Sequence, residues 1–109
     1  MSYKVMKVVI ITEKILVEKV AKVIEAAGAS GYTLLPAGGK GSRGIRSSSR
    51  ASVIDEFSNV KFEIITADRE TAEKIADEVT ECFFDNYSGI VHFEAVEIVR
   101  PDKFKTLLS

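Results

Sequence analysis

The sequence predicts an α+β domain of the ferredoxin-like kind, a βαβ-βαβ sandwich. Two segments each combine a β-branched run, a helical stripe and a second run, and each half holds about 40 residues, the size of a βαβ unit. A stretch rich in glycine, serine and arginine, without periodicity, separates them. Right-handed crossovers put both helices on one face of a four-stranded sheet.

The first strand is read over Val5 to Ile11, ending at Thr12, which can cap a helix that begins at Glu13. Leu16, Val20, Val23 and Ala27 then recur at helical spacing, with Lys14, Glu18, Lys22 and Glu25 largely off that stripe. Gly28 follows the last periodic residue, as a helix-ending glycine should. Tyr32 to Ala37 forms the second strand and Val60 to Thr66 the third. Thr66 or Asp68 opens a second helix with the stripe Ala72, Ile75, Ala76, Val79 and Phe83. Asp85 to Gly89 breaks it, and Ile90 to Val99 is the final strand. In that strand Ile90, Val96 and Ile98 alternate with Val91, Phe93, Ala95 and Val99, so both faces are apolar. A strand apolar on both faces requires cover on both. Two helices cover only one, so a second subunit is the expected cover.

With 109 residues the chain is read as a single domain over 1–109. The apolar fraction of 46% and the balance of 15 basic against 16 acidic residues place it among soluble globular proteins. A net charge of −1 offers no general attraction to nucleic acid or anionic lipid. The single cysteine, Cys82, excludes an internal disulfide and an all-cysteine metal site. It lies near the second helical stripe and is read as core. Met6 to Ile11 is too short for a secretory leader or a membrane span, so the expected location is cytoplasmic.

The chemistry is concentrated between the halves. Residues 38–58 hold Gly38, Gly39, Gly41 and Gly44, and the bases Lys40, Arg43, Arg46 and Arg50, with no acid before Asp55. Loops of this length in a compact domain are usually functional or disordered. Glycines let successive backbone amides approach an anion. Arg43 and Arg46 can grip phosphate oxygens through paired bonds, and Ser42 adds a neutral donor. The segment Gly39-Lys40-Gly41-Ser42 lacks the P-loop spacing and leads into no predicted helix, so efficient nucleotide hydrolysis is not expected. Composition alone leaves three readings open: a phosphate ligand, nucleic acid, or a solvated linker. Nucleic acid loses ground because no aromatic residue is interleaved for base stacking. Fixing a backbone residue costs about 1–2 kcal/mol, against about 1.5–3 kcal/mol for each charged hydrogen bond. Phosphate contacts can therefore order Gly39 to Arg46, while Ser47 to Asp55 needs a protein partner to hold it.

Several stretches carry a resemblance. They are Val9-Ile10-Ile11-Thr12-Glu13-Lys14, Ala26-Ala27-Gly28-Ala29-Ser30-Gly31-Tyr32-Thr33, Gly38-Gly39-Lys40-Gly41-Ser42-Arg43, Arg46-Ser47 and Ser58-Asn59-Val60-Lys61-Phe62-Glu63. Together with the βαβ–loop–βαβ order, they resemble the PII superfamily, and within it the SbtB family of PII-like regulators of the cyanobacterial bicarbonate transporter SbtA. The resemblance implies a homotrimer that binds adenine nucleotides (AMP, cyclic AMP, ADP, ATP) as effectors in clefts between subunits, with no obligatory cofactor. The nucleotide residues it implies are Gly39, Lys40, Gly41, Ser42, Arg43, Arg46 and Asn59, with Gly89 and Ile90 facing the base or ribose. Residues 38–58 stand where that family has its T-loop. Arg46, Ser47, Ser48, Ser49, Arg50 and Ser52 are the part that the transporter would contact, holding the protein at the cytoplasmic side of the plasma membrane. The cysteine-containing hairpin that ends many such proteins is missing from the 100–109 tail, which puts redox gating and nucleotide hydrolysis in doubt. No catalytic residue and no metal ligand set is expected. The alternative is a PII-like or CutA-like trimer that regulates a soluble partner or binds metal, and the single histidine, His92, disfavours metal. Glu94 and Glu97 alternate to opposite sheet faces and make a poor acid/base pair.

Overall fold

The computed structural model describes residues 2–38, 40–41, 44–45 and 58–99. Strand β1 (Tyr3–Glu13) leads through a 3₁₀ turn (Lys14–Leu16) into helix α1 (Val17–Ala26) and strand β2 (Thr33–Ala37). Two short strands, β3 (Lys40–Gly41) and β4 (Gly44–Ile45), come next. Strand β5 (Asn59–Thr66), helix α2 (Arg69–Phe83) and strand β6 (Gly89–Ile98) complete the described chain. The main sheet has the order β2-β5-β1-β6, with every neighbouring pair antiparallel. That is the interleaved arrangement expected of two βαβ units.

The pleat sorts the residues into two faces. Val8 and Ile10 of β1 and Val60, Phe62 and Ile64 of β5 point toward the helices and form one core with Leu16, Val20, Ile24, Ala72, Ile75 and Val79. The opposite face carries Val5, Lys7 and Val9, with Lys61, Glu63, His92, Glu94 and Val96 in register beside them. The described residues place no helix over that face.

Three expectations change. Helix α1 begins at Val17 rather than Glu13, and its N-cap, Leu16, makes no side-chain capping bond. The Thr12 hydroxyl instead donates to the carbonyl of Ser88, a buried contact of 2.7 Å. The intervening 3₁₀ turn rotates the helix, so Ala21 and Ile24 join Val20 in the interior while Val23 and Ala27 pack at its margin. Gly28 then ends the helix with φ of 89°, in the left-handed region that glycine adopts without strain. The second change concerns α2. Asp68, one of the two expected starts, is its cap, the carboxylate accepting from the Thr71 amide at 2.8 Å, and what changes is the place of Cys82. The apolar stripe continues through Phe83, which leaves Cys82 exposed rather than in the core. The third change lies in the central segment, which is not wholly irregular. Lys40 pairs with Ile45 and Gly41 with Gly44 as a small antiparallel ladder. A ladder this short shows no side-chain alternation, so no sequence pattern announces it.

Candidate functional site

One end of the sheet gathers the ends of all four long strands. Asn59, the first residue of β5, faces Ala37 at the end of β2 on one side and Glu13 at the end of β1 on the other. Thr12 and Ile11 face Gly89 and Ile90 at the start of β6. The central segment leaves the sheet here at Ala37 and returns here at Ser58.

The sequence Thr12-Glu13-Lys14 fastens both connections that meet at this end. The Thr12 hydroxyl donates to the Ser88 carbonyl at 2.7 Å, and the Ser88 amide donates to Glu13 Oε2, also at 2.7 Å. Both backbone polar groups of Ser88, a buried residue, are thereby satisfied by two consecutive side chains of β1. The Lys14 amide donates to the Ser58 carbonyl at 2.8 Å and pins the returning end of the central segment. Gly89 lies directly against the ring of Phe84, at a spacing that no β-carbon could occupy. Ile90 beside it is 54% exposed, an apolar side chain offered to whatever covers this edge.

Asn59 is 1% exposed; among the described residues its Oδ1 meets no hydrogen-bond donor, and its Nδ2 makes a long contact of 3.5 Å to Ser58 Oγ. A buried acceptor left without a donor costs about 1–3 kcal/mol.

The predicted residues fall as follows. Asn59, Gly89 and Ile90 meet at this end, separated by the tip of β1. Lys40 and Gly41 lie on β3, three and four positions beyond Ala37 in the chain. Gly39, Ser42, Arg43 and Arg46 lie outside the described residues, as do Ser47, Ser48, Ser49, Arg50, Ser52 and the 100–109 tail. The residues that sequence reasoning missed are Thr12, Glu13 and Ser88. Thr12 and Glu13 stand out only as polar residues at the end of an apolar strand, a pattern that a helix start explains equally well.

The open sheet face carries a second cluster. Lys7 Nζ lies 2.9 Å from Glu63 Oε2 and 3.9 Å from Glu94 Oε1, and Lys61 Nζ lies 3.5 Å from Glu63 Oε2. The bond from Lys7 holds the Glu63 carboxyl below its ordinary value, and the same bond holds the Lys7 ammonium above its own. His92 Nε2 sits 3.0 Å from Glu94 Oε2. Among the described residues no three His, Cys, Asp or Glu side chains converge as metal ligands, and no helix is long and apolar enough to cross a membrane.

A family model described as nitrogen regulatory protein P-II matches residues 5–103. The chain belongs to the PII family. Its members are regulators rather than enzymes, and the fold above is the PII-like fold. Solved PII-like structures agree over almost the whole chain. One, from Thermus thermophilus and assigned to the PII-like signalling proteins, is 28% identical with a TM-score of 0.75, covering 94% of this chain and 97% of its own. CPII from Thiomonas intermedia, bound to ADP and bicarbonate, is 25% identical with a TM-score of 0.77, covering 94% and 96%. A further structure of CPII, with ADP, AMP and bicarbonate, is 24% identical with a TM-score of 0.73 over 93% and 99% and shows the shared fold.

Proposed function

We propose that this PII-family protein is an adenine-nucleotide sensor, with nucleotide bound in the clefts between the subunits of a homotrimer. The observation that carries the reading is the gathering of Asn59, Gly89 and Ile90 where the basic, glycine-rich segment leaves and rejoins the sheet. The likeness to an ADP-bound PII-like protein supports it. In this reading Gly39 to Arg46 takes the phosphates: backbone amides and Ser42 supply neutral donors, and Lys40, Arg43 and Arg46 supply charge. Asn59 sits beside these phosphate-side residues, and Gly89 and Ile90 face the base or ribose. Arg46, Ser47, Ser48, Ser49, Arg50 and Ser52 form the surface that a partner reads according to nucleotide state.

The partner proposed is a membrane bicarbonate transporter, so that the protein would act at the cytoplasmic face of the membrane within a carbon-concentrating mechanism. The support is the resemblance of the central segment to SbtB-type regulators, and a CPII structure bound to ADP and bicarbonate is in keeping with it. Calorimetry with AMP, cyclic AMP, ADP and ATP tests the sensing. At least one of them binds, and Arg46→Ala weakens that binding by roughly tenfold or more, the worth of a charged hydrogen bond. An unchanged affinity in Arg46→Ala removes the phosphate assignment. Retention of the protein on membranes carrying the transporter, altered by nucleotide, tests the partner, and equal recovery from membranes without it overturns that assignment.

A further inference from the structure

Gly89 and Ile90 open β6 at the candidate site, in register with Thr12 and Ile11 of β1. Ser88, the last turn residue before them, is also held from β1: its carbonyl by the Thr12 hydroxyl and its amide by Glu13 Oε2, each at 2.7 Å. The two bonds differ in kind. The first joins neutral partners in a buried place. The second draws an amide onto a half-buried carboxylate and is the stronger sort of bond. Glu13 is also the β1 residue that faces Asn59, and the next amide, that of Lys14, holds the Ser58 carbonyl. One side chain thus stands at the junction of the two connections that border the site.

We propose that Glu13 is a positioning residue of the nucleotide site, fixing the Ser88–Ile90 turn in its binding conformation through the Ser88 amide. This rests on the nucleotide-sensing reading given above. Without the carboxylate the Ser88 amide must find water or another acceptor, and the turn samples more conformations. The ligand then orders the turn at its own expense, and affinity falls without the loss of any direct contact. The capacity required is that of a hydrogen-bond acceptor, not a negative charge. Glutamine, with its amide oxygen in the same place, therefore serves where alanine does not.

The test uses the full chain as wild type, Glu13→Ala and Glu13→Gln. Amide hydrogen exchange is followed across Ser88 to Ile90, and ADP binding is measured by calorimetry. In Glu13→Ala, exchange at Ser88 to Ile90 accelerates while that of β1 and β5 is unchanged, and ADP binds roughly tenfold more weakly. Glu13→Gln recovers most of both effects. A merely stabilising role would spread faster exchange through the sheet and gain nothing specific from glutamine, so that pattern overturns the proposal. So does wild-type ADP affinity in Glu13→Ala despite a loosened turn, or Glu13→Gln binding as weakly as Glu13→Ala, which makes the charge itself the contact. Should the wild type bind no adenine nucleotide, the sensing reading fails first. Exchange at Ser88 to Ile90 then still decides whether Glu13 holds the turn, and unchanged exchange in Glu13→Ala overturns that part as well.

Discussion

Gly89 and Phe84 show how closely the α2–β6 turn is built. The Phe84 ring occupies the space where a side chain at position 89 would begin, so Gly89→Ala forces the ring out of its place against the core. Overpacking of this kind costs about 1–3 kcal/mol. Thermal denaturation of Gly89→Ala will show that loss, and in the nucleotide-sensing reading proposed above calorimetry will show weaker nucleotide binding, because the displaced ring disturbs the edge of the proposed site. Thr12→Val is the companion experiment. It keeps the shape of a fully buried side chain but removes the donor to the Ser88 carbonyl, and the orphaned acceptor costs about 1–3 kcal/mol. The melting temperature of that variant measures the loss.

Helix α2 depends on its first turn. Asp68 accepts from the Thr71 amide and stands at the positive end of the helix, where a carboxylate is favourable. Asp68→Ala therefore loses about 1 kcal/mol, which in a domain near this size lowers the melting temperature by about 4–8 °C. Between strands, Lys7 and Glu63 join β1 to β5 on the open face. The Glu63 carboxyl is held below its ordinary value of 4.5, so its contribution is fully present above pH 4.5 and is lost as pH falls through the lower folded value. The Lys7 ammonium is held above 10.5, so its contribution is present below that pH and is lost as pH rises through the higher folded value. The difference in melting temperature between wild type and Glu63→Gln is accordingly flat through neutral pH and shrinks in acid below 4.5. A difference that grows in acid would contradict the assignment. The pair is partly open to water, so high salt reduces that difference as well.

Among the described residues no helix lies over one face of the sheet, which raises a question of assembly. The helices cover Val8, Ile10, Phe62 and Ile64, while Val5, Val9, Ile11, Ile90, Val96 and Ile98 lie on the other side around the Lys7–Glu63 pair. Ile90 exposes more than half of its surface. Val5 and Val9 are already buried within the chain, and the proposed homotrimer would draw the exposed part of this face, Ile90 above all, out of water. If so, the melting temperature rises with protein concentration, because association stabilises the folded chain by mass action. Val96→Glu places a charge opposite Val5 and shifts the protein toward monomer in sedimentation equilibrium. A wild type that sediments as a monomer at every concentration would leave this face to another partner and remove the inter-subunit cleft from the functional reading.

The sequence by itself determined the two βαβ halves, the order of the elements, the helix-ending Gly28 and the separate character of the central segment. Each of these is written in local periodicity or in a residue with one conformational use. Two elements of the proposed site are readings of the sequence: the basic glycine-rich run by composition, and Asn59 with Gly89 and Ile90 by resemblance. Only the tertiary structure decided that Thr12 fastens a turn seventy-six positions away instead of capping a helix, and that Glu13 holds the same turn. It also placed Cys82 outside the core, because a single step around the helix separates it from Phe83. The physical reason is common to all three. Period and propensity are set by neighbours in the chain, whereas what a side chain meets across the fold is set by sheet register and helix packing. Register brings residues 12, 59 and 89 together only once the strands have paired.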